Sequence, residues 1–338
     1  MVVAAHAAVM TSIFVSQELF SDAVGRIEAA GLGLEYRDAA EPASPEDLRA
    51  ALQGHDGLVC LLTDSVDRAL LDANPQLRVV ANCAAGFDNI DVAAATERGV
   101  LVTNTPGVLT TATADLTMAL LLATARRVPE ADRFLREGHY RHWRLRQEQT
   151  GVDVSGRTLG IVGLGQIGRA VARRARHGFQ MDVCYTNPQP LAHDEEVELG
   201  VRHVEFSGLL ERSDFISIHA PATDETIGMF GPDEFARMQP HAVLINTARG
   251  PIVQEAALAD AVERGEIAGA GLDVFEREPT VHPRLLELTE RVVLLPHIGS
   301  ATDTTRRRMA DTAITNALAA LTGQRPPNLV NAGALAEA

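Results

Sequence analysis

The stretch from Thr158 to Gly168, TLGIVGLGQIG, decides the fold class of this chain. It predicts a short buried strand that runs directly into a G-x-G-x-x-G turn, after which a helix begins. In such a turn the first glycine permits the sharp bend, the second lets the backbone approach a pyrophosphate, and the third lets helix and strand pack closely. The N-terminus of the helix adds N–H donors and a favourable dipole. The predicted dinucleotide-binding residues of the turn are Gly163, Gly165, Gln166, Ile167 and Gly168.

The region that follows predicts the rest of a doubly wound sheet. Apolar runs recur there with helical stretches between them, an alternation typical of βαβ units with parallel strands. The further candidate strands are MDVCYT (181–186), FISIHA (215–220), AVLINT (242–247), GAGLDVF (269–275) and VVLLPH (292–297). The predicted helices include Gln166–His177, Pro232–Met238 and Gln254–Gly265. Six strands joined by right-handed crossovers would form a sheet that binds its ligand at the switch point.

The first hundred residues show the same alternation. Strands are predicted at Ser12–Val15, 57–62 and 77–83, and an amphipathic helix at Glu18–Ala30. A long, mostly apolar helix at Thr110–Arg127 is expected to connect two domains. The fold class is therefore predicted to be α/β, with two Rossmann-like domains built on parallel sheets.

The predicted domain boundaries follow from these elements. Residues 105–299 form a dinucleotide-binding Rossmann domain, which is inserted into a flavodoxin-like domain made of residues 1–104 and 300–338. A final helix is predicted at Thr302–Leu321, and Gly323–Ala338 is expected to be a loosely held tail.

The amino-acid composition excludes several kinds of catalytic chemistry and disfavours some partners. The 338 residues carry a formal net charge of −15, and all 30 basic residues are arginine. The lack of lysine excludes Schiff-base chemistry, a pyridoxal-phosphate lysine, a Walker A loop and a kinase lysine. The acidic balance disfavours nucleic acids and anionic membranes as partners, because both require a basic face. No apolar run approaches the length that a membrane span needs.

The cysteines indicate a reducing compartment. Cys60, Cys83 and Cys184 are odd in number and widely spaced, which predicts reduced thiols in a cytoplasmic protein. A chain of this length buries enough surface to fold without a disulfide or a metal, and we expect no metal site.

The choice between NAD and NADP depends on the end of the second strand of the Rossmann domain. An NAD site usually carries Asp or Glu there, about 20 residues after the glycine-rich turn. In this chain the strand ends at Asn187, while Asp182 lies within it. The missing carboxylate removes a repulsion of the 2′-phosphate, although no arginine stands beside Asn187 to attract one. We expect NAD(P)H as the cofactor, with NADPH preferred.

Three residues at the ends of successive predicted strands could carry out chemistry on a carbonyl. Arg249 follows LINTA, Glu278 follows GLDVF and His297 follows VVLLP, where an open α/β sheet places its ligands. His297 is suited to be a general acid, and Glu278 would orient its imidazole and favour the protonated form. Arg249 can bind a carboxylate and polarise the carbonyl oxygen.

Four blocks of the sequence resemble the D-isomer-specific 2-hydroxyacid dehydrogenases. The blocks are AGFDNID (85–91), GLGQIG (163–168), LINTARG (244–250) and LPHIGS (295–300). Together they span most of the chain and are specific in combination. The resemblance implies that Arg249, Glu278 and His297 are the catalytic residues and that residues 1–104 and 300–338 bind the substrate.

The resemblance also implies where ligands bind. Backbone N–H groups near Ala85 and Gly86 would hold the substrate carboxylate, together with Arg249 and His297. A glycine-containing turn before a helix that Asp91 caps can form such an anion-binding nest. Besides the glycine-rich turn and Asn187, the residues implied to line the cofactor are Thr113, Ile167, Thr247, Asp273 and Gly299.

Within the family, NTPGVLT (104–110) with Ala114-Asp115 is similar to the glyoxylate and hydroxypyruvate reductases. This similarity implies NAD(P)H-dependent reduction of a small 2-oxo acid to the D-2-hydroxy acid. The alternatives are a D-3-phosphoglycerate or other 2-hydroxyacid dehydrogenase, and a non-catalytic dinucleotide-sensing protein of the same fold. Phosphite dehydrogenases have lysine at the position of Ala85, which counts against that activity.

The segment His139–Arg146 contains the chain's one tryptophan, Trp143. The resemblance implies a homodimer in which this segment is an arm whose aromatic side chain approaches the active site of the partner. The alternative is an aromatic residue exposed on a loop.

Overall fold

The computed structural model describes residues 10–37 and 41–336. These form two compact units. Unit 1 comprises the described residues up to Leu109 and from Thr302 onward, and unit 2 comprises Thr110–Ala301. The remaining residues of the predicted substrate-binding domain, 1–9, 38–40 and 337–338, lie outside the described part.

The helices and strands alternate along the whole chain. The strands are β1 (Ser12–Val15), β2 (Gly33–Tyr36), β3 (Gly57–Cys60), β4 (Val79–Asn82), β5 (Leu101–Thr103), β6 (Thr158–Val162), β7 (Asp182–Thr186), β8 (Val201–His203), β9 (Phe215–Ile218), β10 (Val243–Asn246), β11 (Gly269–Leu272) and β12 (Val292–Leu294). The α-helices are α1 (Ser21–Ala29), α2 (Pro45–Ala51), α3 (Arg68–Ala73), α4 (Val92–Glu97), α5 (Thr110–Ala125), α6 (Val128–Arg136), α7 (Gln166–Phe179), α8 (His193–Leu199), α9 (Phe206–Arg212), α10 (Pro232–Arg237), α11 (Glu255–Arg264), α12 (Pro283–Glu287) and α13 (Asp303–Leu321).

Unit 1 is a parallel five-stranded sheet in the order β2-β1-β3-β4-β5. Ile13 and Val15 of β1 pack with residues of α1 and α13, whereas Phe14 packs with Leu48 of α2 on the opposite side. Both faces of the sheet are therefore covered, as a parallel sheet requires. Asp67 and Asp91 cap α3 and α4 by accepting N–H groups of the first turn.

Unit 1 differs from the prediction in three places. The helix predicted at Glu18–Ala30 begins only at Ser21, after Phe20 in an extended conformation. The short strands β2 and β5 were not predicted, since neither forms a long apolar run. The tail predicted to be loose is held at Val330 and Asn331: Val330 donates to the carbonyl of Val102 at 2.8 Å, and Oδ1 of Asn331 accepts the N–H of Val102 at 2.7 Å. These hydrogen bonds hold it along β5.

Unit 2 is a parallel seven-stranded sheet in the order β12-β11-β10-β9-β6-β7-β8. From β6 the chain builds outward to β8, then returns to β9 and builds in the other direction, so the switch point lies between β6 and β9. Leu244 packs in one hydrophobic cluster while Val243 and Ile245 pack in the other. This topology confirms the predicted α/β fold class with two parallel sheets.

Unit 2 departs from prediction in two places. The sheet has a seventh strand, β8, which lies at its edge and is too short to give an apolar run. The helix expected to connect two domains, α5, instead belongs to unit 2, where it packs against α7, β10 and β11. It ends at Ala125, and Arg127 adopts a left-handed conformation with φ of 53°.

Two further properties bear on the sequence predictions. No helix within residues 10–37 and 41–336 is long and apolar enough to cross a membrane. The three cysteines are free and buried. Burial raises the pKa of each thiol, to about 12 for Cys83, so none of them is poised as a thiolate at neutral pH.

Candidate active site

The glycine-rich turn lies at the switch point of unit 2, between β6 and α7. Gly163 has φ of +93°, and a Cβ there would lie 2.5 Å from the backbone nitrogen of Ala220. A Cβ on Gly168 would lie 2.4 Å from the carbonyl oxygen of Gly163. A Cβ on Gly165, in contrast, would meet no atom within 4 Å. The first and third glycines are thus required by internal packing, and the second leaves open space at the start of a helix, which suits a pyrophosphate.

Asn187, at the end of β7, is tied to this turn. Its Oδ1 accepts the backbone N–H of Leu164 at 2.7 Å. The side chain therefore stabilises the turn, and its one carbonyl oxygen is already engaged there. Sequence reasoning placed Asn187 beside the cofactor but gave no sign of this hydrogen bond.

Four of the other predicted cofactor residues lie in a buried hydrogen-bonded group of unit 2. Thr113 donates to the carbonyl of Gly299 at 3.2 Å, and the hydroxyls of Thr247 and Thr117 are 2.8 Å apart. Asp273 accepts the N–H groups of Ile298 and Gly299, each at 2.7 Å, one on each carboxylate oxygen. Burial raises the pKa of Asp273, against the opposing effect of these N–H groups.

Glu278 and His297 are in contact. Nδ1 of His297 lies 2.7 Å from Oε2 of Glu278, and both side chains are 29% exposed. Oε1 of Glu278 accepts the N–H of Phe275 at 3.1 Å. Burial acts to raise the pKa of Glu278, but the hydrogen bond and charge of His297, the Phe275 N–H and the charge of Arg249 outweigh it and lower the pKa.

The backbone of His297 is itself unusual. Its φ is +52°, in the left-handed region that a residue other than glycine rarely adopts. Its N–H donates to the carbonyl of Asp273 at 2.9 Å, so Asp273 holds the turn from His297 to Gly299 with its carbonyl as well as its carboxylate. A strained residue held by its surroundings is common at functional sites.

Arg249 follows β10 and is supported by a buried amide. Nδ2 of Asn246 donates to the carbonyl of Arg249 at 2.9 Å, and its Oδ1 accepts the N–H of Ala248 at 3.0 Å. The strands β10, β11 and β12 are neighbours, so their carboxyl ends bring Arg249, Glu278 and His297 to one edge of the sheet. Sequence reasoning missed Asn246, although an asparagine at the end of a buried strand was visible.

Ala85 and Gly86 lie in unit 1, in the loop between β4 and α4. Nδ2 of Asn104 donates to the carbonyl of Ala85 at 2.7 Å, and Nδ2 of Asn82 donates to the carbonyl of Gly86 at 2.9 Å. Within the part of the chain that the structure describes, the N–H groups of Ala85 and Gly86 donate no hydrogen bond. Backbone donors held in this way suit a carboxylate. The two asparagines were not predicted.

A dinucleotide turn at the switch point, with an imidazole–carboxylate pair at the carboxyl edge of the same sheet, defines a nicotinamide-dependent oxidoreductase. The family model for the D-isomer specific 2-hydroxyacid dehydrogenase, NAD binding domain, matches residues 118–299. The chain belongs to the D-isomer specific 2-hydroxyacid dehydrogenase family.

Two relatives of known name and one solved structure agree with this family assignment. The glyoxylate reductase of Korarchaeum cryptofilum is 48% identical over 319 residues, which cover 94% of this chain and 95% of that protein. That of Thermococcus litoralis is 50% identical over 279 residues, covering 82% of this chain and 83% of that protein. The crystal structure of the NADPH-dependent glyoxylate/hydroxypyruvate reductase of Sinorhizobium meliloti, in complex with NADP and malonate, has a TM-score of 0.81 and 33% identity, covering 96% of this chain and 98% of that one.

Proposed function

We propose that this enzyme reduces small 2-oxo acids, above all glyoxylate and hydroxypyruvate, to the corresponding 2-hydroxy acids, as the D-isomer where the product is chiral, with His297 as the general acid. The observation that carries the proposal is the 2.7 Å contact between His297 and Glu278 in the unit that carries the dinucleotide turn. The identity of 48% with a glyoxylate reductase over 94% of the chain supports the substrate class.

The three site residues have separate tasks in this reaction. Bound NAD(P)H supplies the hydride that the carbonyl carbon accepts. Because Glu278 engages Nδ1 of His297, Nε2 is the nitrogen that gives its proton to the carbonyl oxygen as negative charge develops. Glu278 stabilises the imidazolium before that transfer. The guanidinium of Arg249 attracts the substrate carboxylate and polarises the carbonyl.

We also propose Ala85 and Gly86 of unit 1 as substrate-binding residues, because their backbone N–H groups are suited to a carboxylate. Their carbonyls are engaged by Asn104 and Asn82, which fixes the loop, and the two N–H groups donate to no described residue. This assignment stays a prediction, as do the cofactor contacts of Thr113, Ile167, Thr247, Asp273 and Gly299.

We further propose that NADPH is preferred over NADH. Asn187 has one acceptor oxygen, which Leu164 occupies, so its remaining polar group is an NH2 donor. An NH2 donor can bind a 2′-phosphate, and the position lacks the carboxylate that would repel this phosphate and bind the ribose hydroxyl of NADH. The NADP bound to the Sinorhizobium meliloti reductase is consistent with this preference.

The enzyme is proposed to act as a cytoplasmic homodimer. Apolar side chains of Leu135, Tyr140, Trp143 and Leu145 are exposed over a short stretch of unit 2, with 86% of Leu145 and 67% of Trp143 accessible. Exposed apolar groups concentrated in this way are typical of a protein interface. Sedimentation equilibrium of the parent and of Trp143→Ser with Leu145→Ser tests the dimer, and a parent that sediments as a monomer contradicts it.

Oxidation of the nicotinamide by the purified protein tests the activity. NADPH and NADH are each paired with glyoxylate, hydroxypyruvate, pyruvate and phenylpyruvate, and initial rates are followed at 340 nm. We expect the highest kcat/KM with glyoxylate or hydroxypyruvate and NADPH. A higher value with phenylpyruvate would overturn the substrate class, and a higher value with NADH would overturn the cofactor preference.

A further inference from the structure

The loop from Glu276 to His282, which carries Glu278, is held at both ends by one buried side chain. Oε1 of Glu255 accepts the N–H of Glu276 at 2.7 Å, and Oε2 accepts the N–H of His282 at 2.8 Å. Glu255 is the first residue of α11 and only 4% of it is exposed. A single carboxylate thus bridges the two ends of the loop whose middle provides the partner of His297.

Two more contacts fix the beginning of this loop. The N–H of Glu255 donates to Oε2 of Glu276 at 3.2 Å, so the two glutamates exchange hydrogen bonds. The backbone of Gly250 lies so close to Phe275 that a Cβ on Gly250 would be 1.8 Å from the carbonyl oxygen of Phe275. The loop therefore also rests against the residue that follows Arg249.

The pair of donors explains why a carboxylate is needed at position 255. Two backbone N–H groups must be accepted by two oxygens of the same side chain, and hydrogen bonds to a charged acceptor are the stronger kind. The N-terminus of α11 favours a negative charge at this place. Glutamine has the same shape but only one acceptor, and its NH2 group would face one of the two donors.

We propose that Glu255 is a positioning residue for the reaction, acting through the Glu276–His282 loop on Glu278 and through Glu278 on His297. The inference rests on the proposed function, since it assigns Glu278 and His297 their roles. Both oxygens of Glu255 are occupied by backbone N–H groups, so its influence reaches the reacting atoms only through the loop. This loop carries the partner of a reacting group. When such a group is displaced by about 1 Å, the reaction rate can fall roughly 10²-fold.

The first test compares Glu255→Gln with Glu263→Gln. Glu263 lies on the same helix, is exposed and pairs with Arg284. Glu263→Gln therefore makes the same chemical change on the same helix as Glu255→Gln. We expect Glu255→Gln to lower kcat between about tenfold and a hundredfold, with the Kd of NADPH unchanged and Glu263→Gln like the parent. Thermal unfolding of each variant checks the fold, and Glu255→Asp, which keeps the charge, should recover part of the loss.

The second test asks whether Glu255 acts through Glu278. If it does, the double variant Glu255→Gln, Glu278→Gln is no slower than Glu278→Gln alone, and Glu255→Gln moves the alkaline limb of the kcat/KM profile in the same direction as Glu278→Gln. The proposal would be overturned if the two substitutions lowered the rate multiplicatively and Glu255→Gln left the alkaline limb of the kcat/KM profile in place. That result would indicate general destabilisation.

A third measurement needs no turnover and separates this inference from the proposed function. The imidazole of His297 is titrated by nuclear magnetic resonance in the parent and in Glu255→Gln. If the parent reduces no 2-oxo acid, the proposed function fails while a changed titration of His297 still supports the positioning by Glu255. An identical titration in both proteins overturns the positioning even when the parent is an active reductase.

Discussion

Nδ1 of His297 and Oε2 of Glu278 are 2.7 Å apart, although the two residues belong to different loops, one after β12 and one after β11. The contact engages Nδ1, so Nε2 is the nitrogen that would meet the substrate in the proposed reaction. It also gives the imidazolium a negative partner, because the pKa of Glu278 is lowered and its carboxylate is charged at neutral pH. Proton donation and its pH dependence can therefore be tested at these two positions.

Replacement of His297 should remove the proton donor without affecting the cofactor turn. We expect His297→Ala to lower kcat/KM for glyoxylate by about 10²–10⁴, the usual contribution of a general acid. The Kd of NADPH, measured by fluorescence, should match that of the parent. The control is His193→Ala, which alters an exposed histidine of α8. Parental turnover by His297→Ala would show that another group donates the proton.

Replacement of Glu278 should change the pH dependence of reduction. The rate of reduction falls as the pH rises and the imidazolium loses its proton. In Glu278→Gln the positive ring no longer faces a carboxylate, so the alkaline limb of kcat/KM should move to lower pH. Profiles between pH 5 and pH 10 for both proteins make the comparison. A limb that stays in place would contradict the electrostatic role of Glu278.

The elements at the centre of unit 2 could be predicted from the sequence, because strong local signals specify them. The strand β6 is a continuous apolar run, and each glycine of the turn after it is needed for a different steric reason. The helix α7 follows with a clear periodicity of its apolar residues. The order of Arg249, Glu278 and His297 also follows from strand ends. These three residues are brought to one edge of the sheet because β10, β11 and β12 are neighbours in it.

The unpredicted features depend on tertiary contacts that leave no periodic pattern. The strands β2 and β8 lie at sheet edges and are short and partly exposed, so their apolar signal is weak. The amides of Asn82 and Asn246 are buried and bind loop carbonyls whose positions only the folded chain defines. The segment around Asn331 is polar in sequence yet fixed by its hydrogen bonds to β5.

The middle glycine of the turn should tolerate a side chain in the fold but not in the complex. Gly165 has φ of −77°, which any residue adopts, and a Cβ there meets nothing within 4 Å. We expect Gly165→Val to leave the thermal midpoint unchanged and to raise the Kd of NADPH at least about tenfold, because its side chain fills the space that the pyrophosphate needs.

Two other glycines serve as controls for this prediction. Gly178 of α7 is also in open space, and Gly178→Ala should leave cofactor binding intact while stabilising the helix by about 0.5–1 kcal/mol. Gly163→Ala combines a positive φ with contact to the backbone of Ala220 and should lower the thermal midpoint. Unimpaired binding of NADPH by Gly165→Val would place the pyrophosphate elsewhere.

A carboxylate at position 187 should reverse the cofactor preference. In Asn187→Asp one oxygen can still accept the N–H of Leu164, while the other repels a 2′-phosphate and accepts a ribose hydroxyl. We expect the ratio of kcat/KM for NADPH to that for NADH to fall by at least about tenfold, which corresponds to about 1.4 kcal/mol. Gln189→Glu adds the same charge on an exposed position nearby and should change the ratio far less. An equal change of the ratio in both variants would show that the effect comes from the overall charge and not from position 187.

His219, at the end of β9 beside the glycine-rich turn, should make stability depend on pH. Its Nε2 lies 2.9 Å from the hydroxyl of the buried Ser217, and burial lowers the pKa of His219 from 6.5 to about 3. The unfolded chain takes up a proton on this histidine as the pH falls through 6.5, and the folded chain does not. The free energy of unfolding is therefore fully present above pH 6.5 and falls as the solution becomes more acidic.

Chemical denaturation at pH 7.5 and pH 5.5 measures this contribution as a difference between variants. His219→Gln keeps a polar group that can meet Ser217 but cannot be protonated, so it should lose less stability between the two pH values than the parent does. The difference should not exceed about 1.4 kcal/mol, because between the two pH values the unfolded histidine is protonated over only about one pH unit, from 6.5 to 5.5. Partial solvent exposure of His219 keeps the difference below this limit. His193→Gln, at an exposed position, should lose as much as the parent. If His219→Gln and the parent lose equal stability, His219 titrates alike in the folded and unfolded chains, and burial does not lower its pKa.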